Sequence, residues 1–168
     1  MSRFKLLAFI ALITFAFGVA MVGDALAGEK FKVRTVKQMV KWEQIEVGDQ
    51  EGHIIAVAEA KGISTNMEGK WFADGWVQHY VAFGDLNPKA GVLVAHGYEQ
   101  RTNREGDKVC YRYEGKQIRK DYWEGTYTIL SRTGKFEGIR GNGTWSVNFV
   151  APGQWYSDED WDIDFPRR

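Results

Sequence analysis

From Phe31 onward, apolar and polar residues alternate in short runs separated by glycine-rich breaks, the pattern of strands rather than helices. Phe31 to Arg34 opens with period-two alternation that continues less cleanly toward Trp42. Lys41 to Val47 reads as a second short strand or a bend, closed by Gly48-Asp49. His53 to Glu59 reads as a strand with Gly62 to Asn66 as its turn. Trp76 to Phe83 follows the Asp74-Gly75 turn signal and ends at Gly84-Asp85. Val92 to Gln100, a polar turn over Asn103 to Asp107, and Val109 to Tyr113 come next. Gln117 to Trp123, Thr126 to Leu130, Thr144 to Val150 and Tyr156 to Phe165 complete the series. No window beyond about ten residues keeps a 3.6-residue apolar period, so no long helix is expected in this region.

Short strands at regular spacing predict an all-β fold, as an antiparallel sandwich or barrel. Closing the eight or nine strands would remove the exposed sheet edges. The choice of a single small antiparallel β-barrel of about eight strands over a sandwich leans on a family resemblance of the Thr133 to Gly141 segment. The last run alternates most cleanly, with Asp158, Asp160, Asp162 and Asp164 on one face and Trp161, Ile163 and Phe165 on the other. Its carboxylates could suggest calcium. An extended strand with bulky apolar neighbours, however, points them outward in a row rather than curling them around one ion. They read as a solvated outer face, and no metal is assigned.

The N-terminus follows a different pattern. Arg3 and Lys5 precede an unbroken apolar run from Leu6 to Val22, and Ala25-Leu26-Ala27 offers the small residues of a cleavage site. Residues 1–27 are therefore expected to be a secretory signal peptide and residues 28–168 the barrel domain, periplasmic or secreted. No later apolar run approaches membrane-spanning length, so the mature form is expected to have no membrane segment. The formal net charge is zero and no basic stripe is visible, which argues against nucleic acid as a partner. Cys110 stands alone, so the domain has no internal disulfide and depends on its own core.

The segment from Gly125 to Trp145 has the most character. Gly134, Gly138, Gly141 and Gly143 fall between two strand-like runs, where glycine permits tight turning and close packing. Phe136 and Ile139 lie between them as apolar plugs expected to cap one end of the core. Thr133-Gly134-Lys135-Phe136-Glu137-Gly138-Ile139-Arg140-Gly141 resembles the Thr-Gly-aromatic-x-Gly-x-x-Gly element of the allene oxide cyclase barrel-like superfamily, which includes the dirigent proteins. The resemblance implies an eight-stranded barrel, often a homo-oligomer, with an apolar cavity open at one end. It also implies guidance of reactive lipophilic intermediates through cyclisation or coupling without a metal or redox cofactor, and the enzyme expected here is a cofactor-free cyclisation or isomerisation catalyst.

Candidate chemistry falls into two sets. His53, His79 and His96 lie in three different expected strands, each with β-branched residues at even spacing, so their imidazoles would share a cavity if those faces pointed inward. The opposite faces are equally apolar, and ordinary hydrogen-bonded or surface histidines are the competing reading. Glu59 and Glu99 lie near strand ends as candidate acids or bases, activated if an apolar barrel raised their affinity for protons. A solvated carboxylate is the alternative.

The second set is aromatic. Seven Trp and seven Tyr exceed what a small core requires. Trp76, Tyr80, Tyr111, Tyr113, Tyr127 and Trp145 are candidates to line a site for a small lipophilic or aromatic molecule. The alternatives are a solid core in a non-catalytic interaction or structural module, and, more weakly, a tryptophan platform for carbohydrate.

Overall fold

A computed structural model describes residues 28–69 and 72–166. The expected leader lies outside the described residues. Eight strands follow one another: β1 (Glu29–Glu46), β2 (Ile54–Glu68), β3 (Val77–Asn87), β4 (Val92–Thr102), β5 (Lys108–Arg119), β6 (Tyr122–Arg132), β7 (Arg140–Ala151) and β8 (Gln154–Asp164). Each pairs antiparallel with the next, and β1 returns to pair with β8, closing the barrel. The closing register sets Phe31 opposite Trp161 and Arg34 opposite Asp158, whose side chains meet at 2.6 and 2.8 Å on the outer wall.

Period-two alternation decides which side chains fill the barrel. In β8, Trp155, Ser157, Glu159, Trp161 and Ile163 point inward, while Asp160, Asp162 and Asp164 are solvated. Val109, Tyr111 and Tyr113 are buried together from β5, the face their spacing indicated.

Three strand boundaries differ from the sequence expectation. Gly62 does not turn the chain; β2 runs straight through it. A Cβ at Gly62 would lie 2.5 Å from the Val36 carbonyl oxygen, so close approach of β1 explains this glycine. β1 is likewise one strand, carried past a bulge between Met39 and Lys41. The run from Gln117 to Trp123 is instead broken into a hairpin at Lys120-Asp121, where Asp121 adopts φ 60°.

One end of the barrel is shut. The loop after β2 tucks Phe72 and Trp76 over the opening, held by Ser64 Oγ donating to the Ala73 carbonyl at 2.6 Å and Asn66 Nδ2 donating to the Phe72 carbonyl at 2.8 Å. From the other side the 3-10 turn Gly134–Phe136 inserts Phe136 against Trp76, with ring centroids 4.7 Å apart. Phe136 and Ile139 are wholly buried, as caps of the core should be. Gly134 and Gly138 take φ of 58° and 83°, which lets the chain double back here. The opposite end, at the β1–β2, β3–β4, β5–β6 and β7–β8 hairpins, is open.

Candidate functional site

The interior is layered from the shut end to the open one. Above the aromatic plug lies a layer of buried polar groups, and above that an open cavity of about 410 Å³. The cavity exists because the two sides of the barrel carry side chains of unequal size. Ala56, Ala58, Ala82, Gly84 and Ala95 line it from β2, β3 and β4, and Trp123, Trp145, Phe149 and Trp155 face them from β6, β7 and β8. Met39 and Trp42 enter from β1; the bulge after Met39 leaves Trp42 opposite Ala58 on the inner face. Small residues on one wall leave volume that the aromatic wall does not fill.

Tyr80 reaches the cavity from its floor and stacks on Tyr113, with centroids 4.9 Å apart and planes 16° from parallel. Tyr113 fits because Gly97 lies beside it; a Cβ there would fall 2.7 Å from the Tyr113 hydroxyl. Burial pushes both phenols above the ordinary tyrosine range, so they remain O–H donors. The Lys37 ammonium sits 5.0 Å from the centre of the Tyr80 ring, on the side of the polar layer.

That layer holds two cations and two carboxylates. Lys37 Nζ donates to Glu99 Oε2 at 2.8 Å, and the other Glu99 oxygen accepts from the Tyr111 hydroxyl at 2.5 Å and Arg101 Nη2 at 3.1 Å. Arg101 Nη2 also donates to both oxygens of Glu159, which further accepts from Thr35, Ser157 and the Trp161 indole at 2.8 to 3.0 Å. Burial alone would push the Glu159 carboxyl up; Arg101 and Lys37 outweigh it and hold it below the usual carboxylate range. Burial likewise opposes the Arg101 charge, and Glu159 and Glu99 more than restore it. Arg101 bonds through Nη2 alone, and its buried Nε and Nη1 have no hydrogen-bond partner among the described residues, but the layer as a whole is electrically balanced. Its chemistry is that of a support beneath the cavity floor, since none of its four charged side chains lines the cavity.

The expected catalytic residues do not converge. His79 faces outward and meets Glu59 Oε1 at 2.9 Å on the outer wall. His96 is also exposed, its ring 5.8 Å from that of Phe83. His53 precedes β2 at the open end, between Asp49 at 2.5 Å and Asp85 at 3.0 Å. Strand parity is the reason: His79 and His96 alternate with the inward residues Gln78, Tyr80, Ala95 and Gly97. Glu99 does enter the interior, but as part of the buried layer. Among the described residues, no group of three or more His, Cys, Asp and Glu side chains is arranged to hold a metal ion.

The aromatic candidates divide by depth. Tyr80 and Trp145 line the cavity, and Tyr113 supports Tyr80 from beneath. Tyr111 and Tyr127 belong to the polar layer, where Tyr127 stacks on Trp161 at 4.9 Å. Trp76 plugs the shut end. Lys37, Arg101 and Glu159 were not among the candidates. Their signal was parity with buried neighbours: Lys37 with Val33 and Thr35, Arg101 with Glu99, Glu159 with Trp161.

An outer groove lies behind the aromatic wall, between β4 and β8, with His96, Arg112, Lys116, Glu124 and Asp160 along it. The wall is thin there. Gly115 and Gly125 pair across β5 and β6, and a Cβ on Gly125 would come within 2.5 Å of the Trp145 ring.

A closed eight-stranded meander, one end plugged and the other hollow, was compared with proteins of known structure. It matches two pterocarpan synthase dirigent proteins, GePTS1 and PsPTS1, each with a TM-score of 0.50. The chain shares the dirigent barrel fold. Identity is 9% and 8%; the matches cover 85% and 84% of this chain and 92% and 99% of the respective dirigent chains. No protein-family model and no curated protein matches the sequence. At such identity the likeness to dirigent barrels concerns backbone architecture, and the side chains described above are this protein's own.

Proposed function

We propose that the protein binds a small lipophilic or aromatic molecule in the open half of its barrel. The observation that carries this reading is the 410 Å³ cavity walled by alanines on one side and tryptophans on the other. Its size lies within the range of about 300–1,000 Å³ usual for small-molecule sites. Two tryptophan indoles already have partners: Trp42 donates to Gln44 at 2.9 Å and Trp145 to the Thr126 carbonyl at 3.1 Å. The rings are therefore presented to a ligand mainly as apolar surface. Expected export to the periplasm or beyond, and the distant dirigent likeness, agree with a protein that handles lipophiles outside the cytoplasm.

A catalytic form of this reading is favoured by Tyr80. A neutral phenol on a mainly apolar floor, backed by Tyr113, can donate a hydrogen bond to an oxygen of the bound molecule as charge develops there. Cyclisation or isomerisation guided by cavity shape needs no more than such a donor and a fixed pose. Glu99 and Lys37 then act as positioning residues through the floor.

The test is titration with a neutral aromatic probe such as N-phenyl-1-naphthylamine, read by probe emission and tryptophan quenching. Saturable binding is expected, weakened at least tenfold by Ala58→Phe or Ala82→Phe, which fill the cavity. Absence of binding, or equal binding by both filled variants, overturns the reading. Tyr80→Phe is expected to retain an apolar probe and to lose preference for oxygen-bearing analogues.

A further inference from the structure

We propose that one lip of the open end is a docking surface for an anionic lipid bilayer, from which the cavity takes up its lipophile. The proposal rests on the cavity reading above and adds the surface that would supply it.

Three β-bulges carry the argument. Register shifts fall between Met39 and Lys41, between Gln117 and Arg119, and between Phe149 and Ala151. Each leaves one extra residue out of the pairing, and in each case that residue is aliphatic and exposed: Val40 at 52%, Ile118 at 47% and Val150 at 64%. A bulge re-aims a side chain away from the regular pleat. The three lie on one arc of the rim. β5 through β8 and then β1 are consecutive neighbours around the barrel. The hairpins are joined by Phe149 N–H donating to the Asp121 carbonyl at 3.2 Å and Met39 N–H donating to the Gly153 carbonyl at 2.8 Å. Exposed Ala151 and Pro152 complete the tip of the β7–β8 hairpin.

Charge separates this lip from the facing one. The facing lip, built on the β1–β2 and β3–β4 hairpins, pairs its cations internally: Lys89 with Glu51 at 2.6 Å and His53 with Asp49. On the bulged lip, Arg119 and Lys120 form no ion pair with any described residue, and the Arg119 guanidinium carbon sits 4.5 Å from the centre of the Tyr122 ring. Asp121 is the one acidic residue among 118–122 and 149–154. Lys41, beside Val40, pairs with Glu43 at 2.9 Å, so Arg119 and Lys120 beside Ile118 are the lip's cations without an ion pair among the described residues. With the exposed aliphatic side chains they match an anionic headgroup layer over acyl chains. The lip is also continuous with the cavity, because Phe149 and Trp42 lie at once on the rim and in the cavity lining. A lipophile leaving the bilayer at this point would stay in contact with apolar surface throughout.

The experiment is vesicle flotation with the chain from Gly28 onward, which contains every strand of the barrel. Vesicles are phosphatidylcholine alone or phosphatidylcholine with phosphatidylglycerol, and N-phenyl-1-naphthylamine binding is measured in parallel without vesicles. Binding to the anionic vesicles is expected, weaker on the neutral ones and falling with added salt. Ile118→Asp with Val150→Asp should abolish it. Arg119→Glu with Lys120→Glu should lower it more than tenfold, since each surface cation contributes about five-fold on an anionic membrane. Both pairs are solvent-exposed and should leave probe binding intact, whereas Lys89→Glu on the facing lip should change neither.

A protein that takes the probe and ignores anionic vesicles overturns the docking surface alone. One that binds vesicles and takes no probe overturns the cavity reading alone. Parent-like vesicle binding by the Arg119/Lys120 variant also overturns the docking surface, whatever the aspartate variant does.

Discussion

Arg101 Nη2 donates to both carboxylate oxygens of Glu159, at 2.7 and 2.6 Å, with both side chains shut away from water. Removing one partner leaves the buried layer with one uncompensated charge, even though Arg101 keeps its contact with Glu99, and such an imbalance costs about 3–5 kcal/mol. Glu159→Gln and Arg101→Met are each expected to lower stability by that order in urea unfolding. Replacing both together should cost less than the sum of the two, because no lone charge remains. Additive losses would show that the pair is not coupled.

The same pair makes stability depend on pH. The Glu159 carboxyl titrates lower in the barrel than in the unfolded chain, so the unfolded chain takes up its proton first as pH falls. The stabilisation is complete above the ordinary carboxyl range, and it is lost as pH falls through that range toward the folded value. Urea midpoints measured from pH 7 to pH 3 should drop, and the drop should be smaller in Glu159→Gln.

His53 predicts the opposite slope at the open end. Its bond to Asp49, with help from Asp85, raises its proton affinity above the ordinary histidine value. A protonated ring donates to both carboxylates, whereas a neutral one donates from a single nitrogen. The clamp is therefore complete below the ordinary histidine range and loosens as pH rises through the folded value. Amide exchange in residues 47–53 should quicken between pH 5.5 and 8.5 beyond the intrinsic base dependence. His53→Gln should remove that extra increment.

Phe136→Ala separates plug from cavity. Emptying a wholly buried aromatic site costs about 3–5 kcal/mol. Because Phe136 lies at the shut end, probe affinity at the open end should change less than two-fold while the thermal midpoint falls.

Gly97→Ala is expected to damage the floor instead. The new methyl would meet the Tyr113 hydroxyl and the Val81 carbonyl, an overpacking cost of about 1–3 kcal/mol. Tyr80 would lose its stacked support, so probe affinity and stability should fall together.

Much of the barrel could be read from alternation. β8, and β5 from Val109 to Tyr113, show period two without interruption, and the glycine-spaced segment around Phe136 indicated a capped end. Gly62 misled because glycine signals both turns and close backbone contacts, and only the neighbouring strand shows which applies. The histidines were ambiguous because both faces of β3 and β4 are apolar: the outer wall carries Val77, Phe83, Val94 and Tyr98 in contact with solvent. The buried ionic layer was hidden for another reason. Lys37, Arg101 and Glu159 each look like surface residues alone, and their mutual neutralisation depends on β1, β4 and β8 being brought together by closure. Glu99 and Arg101 share a face two residues apart, which was the nearest thing to a local clue.

The unequal walls of the cavity give the barrel an adjustable bore. Ala56, Ala58, Ala82 and Ala95 hang from strands paired through their backbones, and they line the chamber while the four charged side chains of the ionic girder do not. Lengthening or shortening those four side chains would resize the chamber step by step while the scaffold beneath stays constant. Selectivity for molecular shape could therefore drift across related proteins with almost no change in backbone.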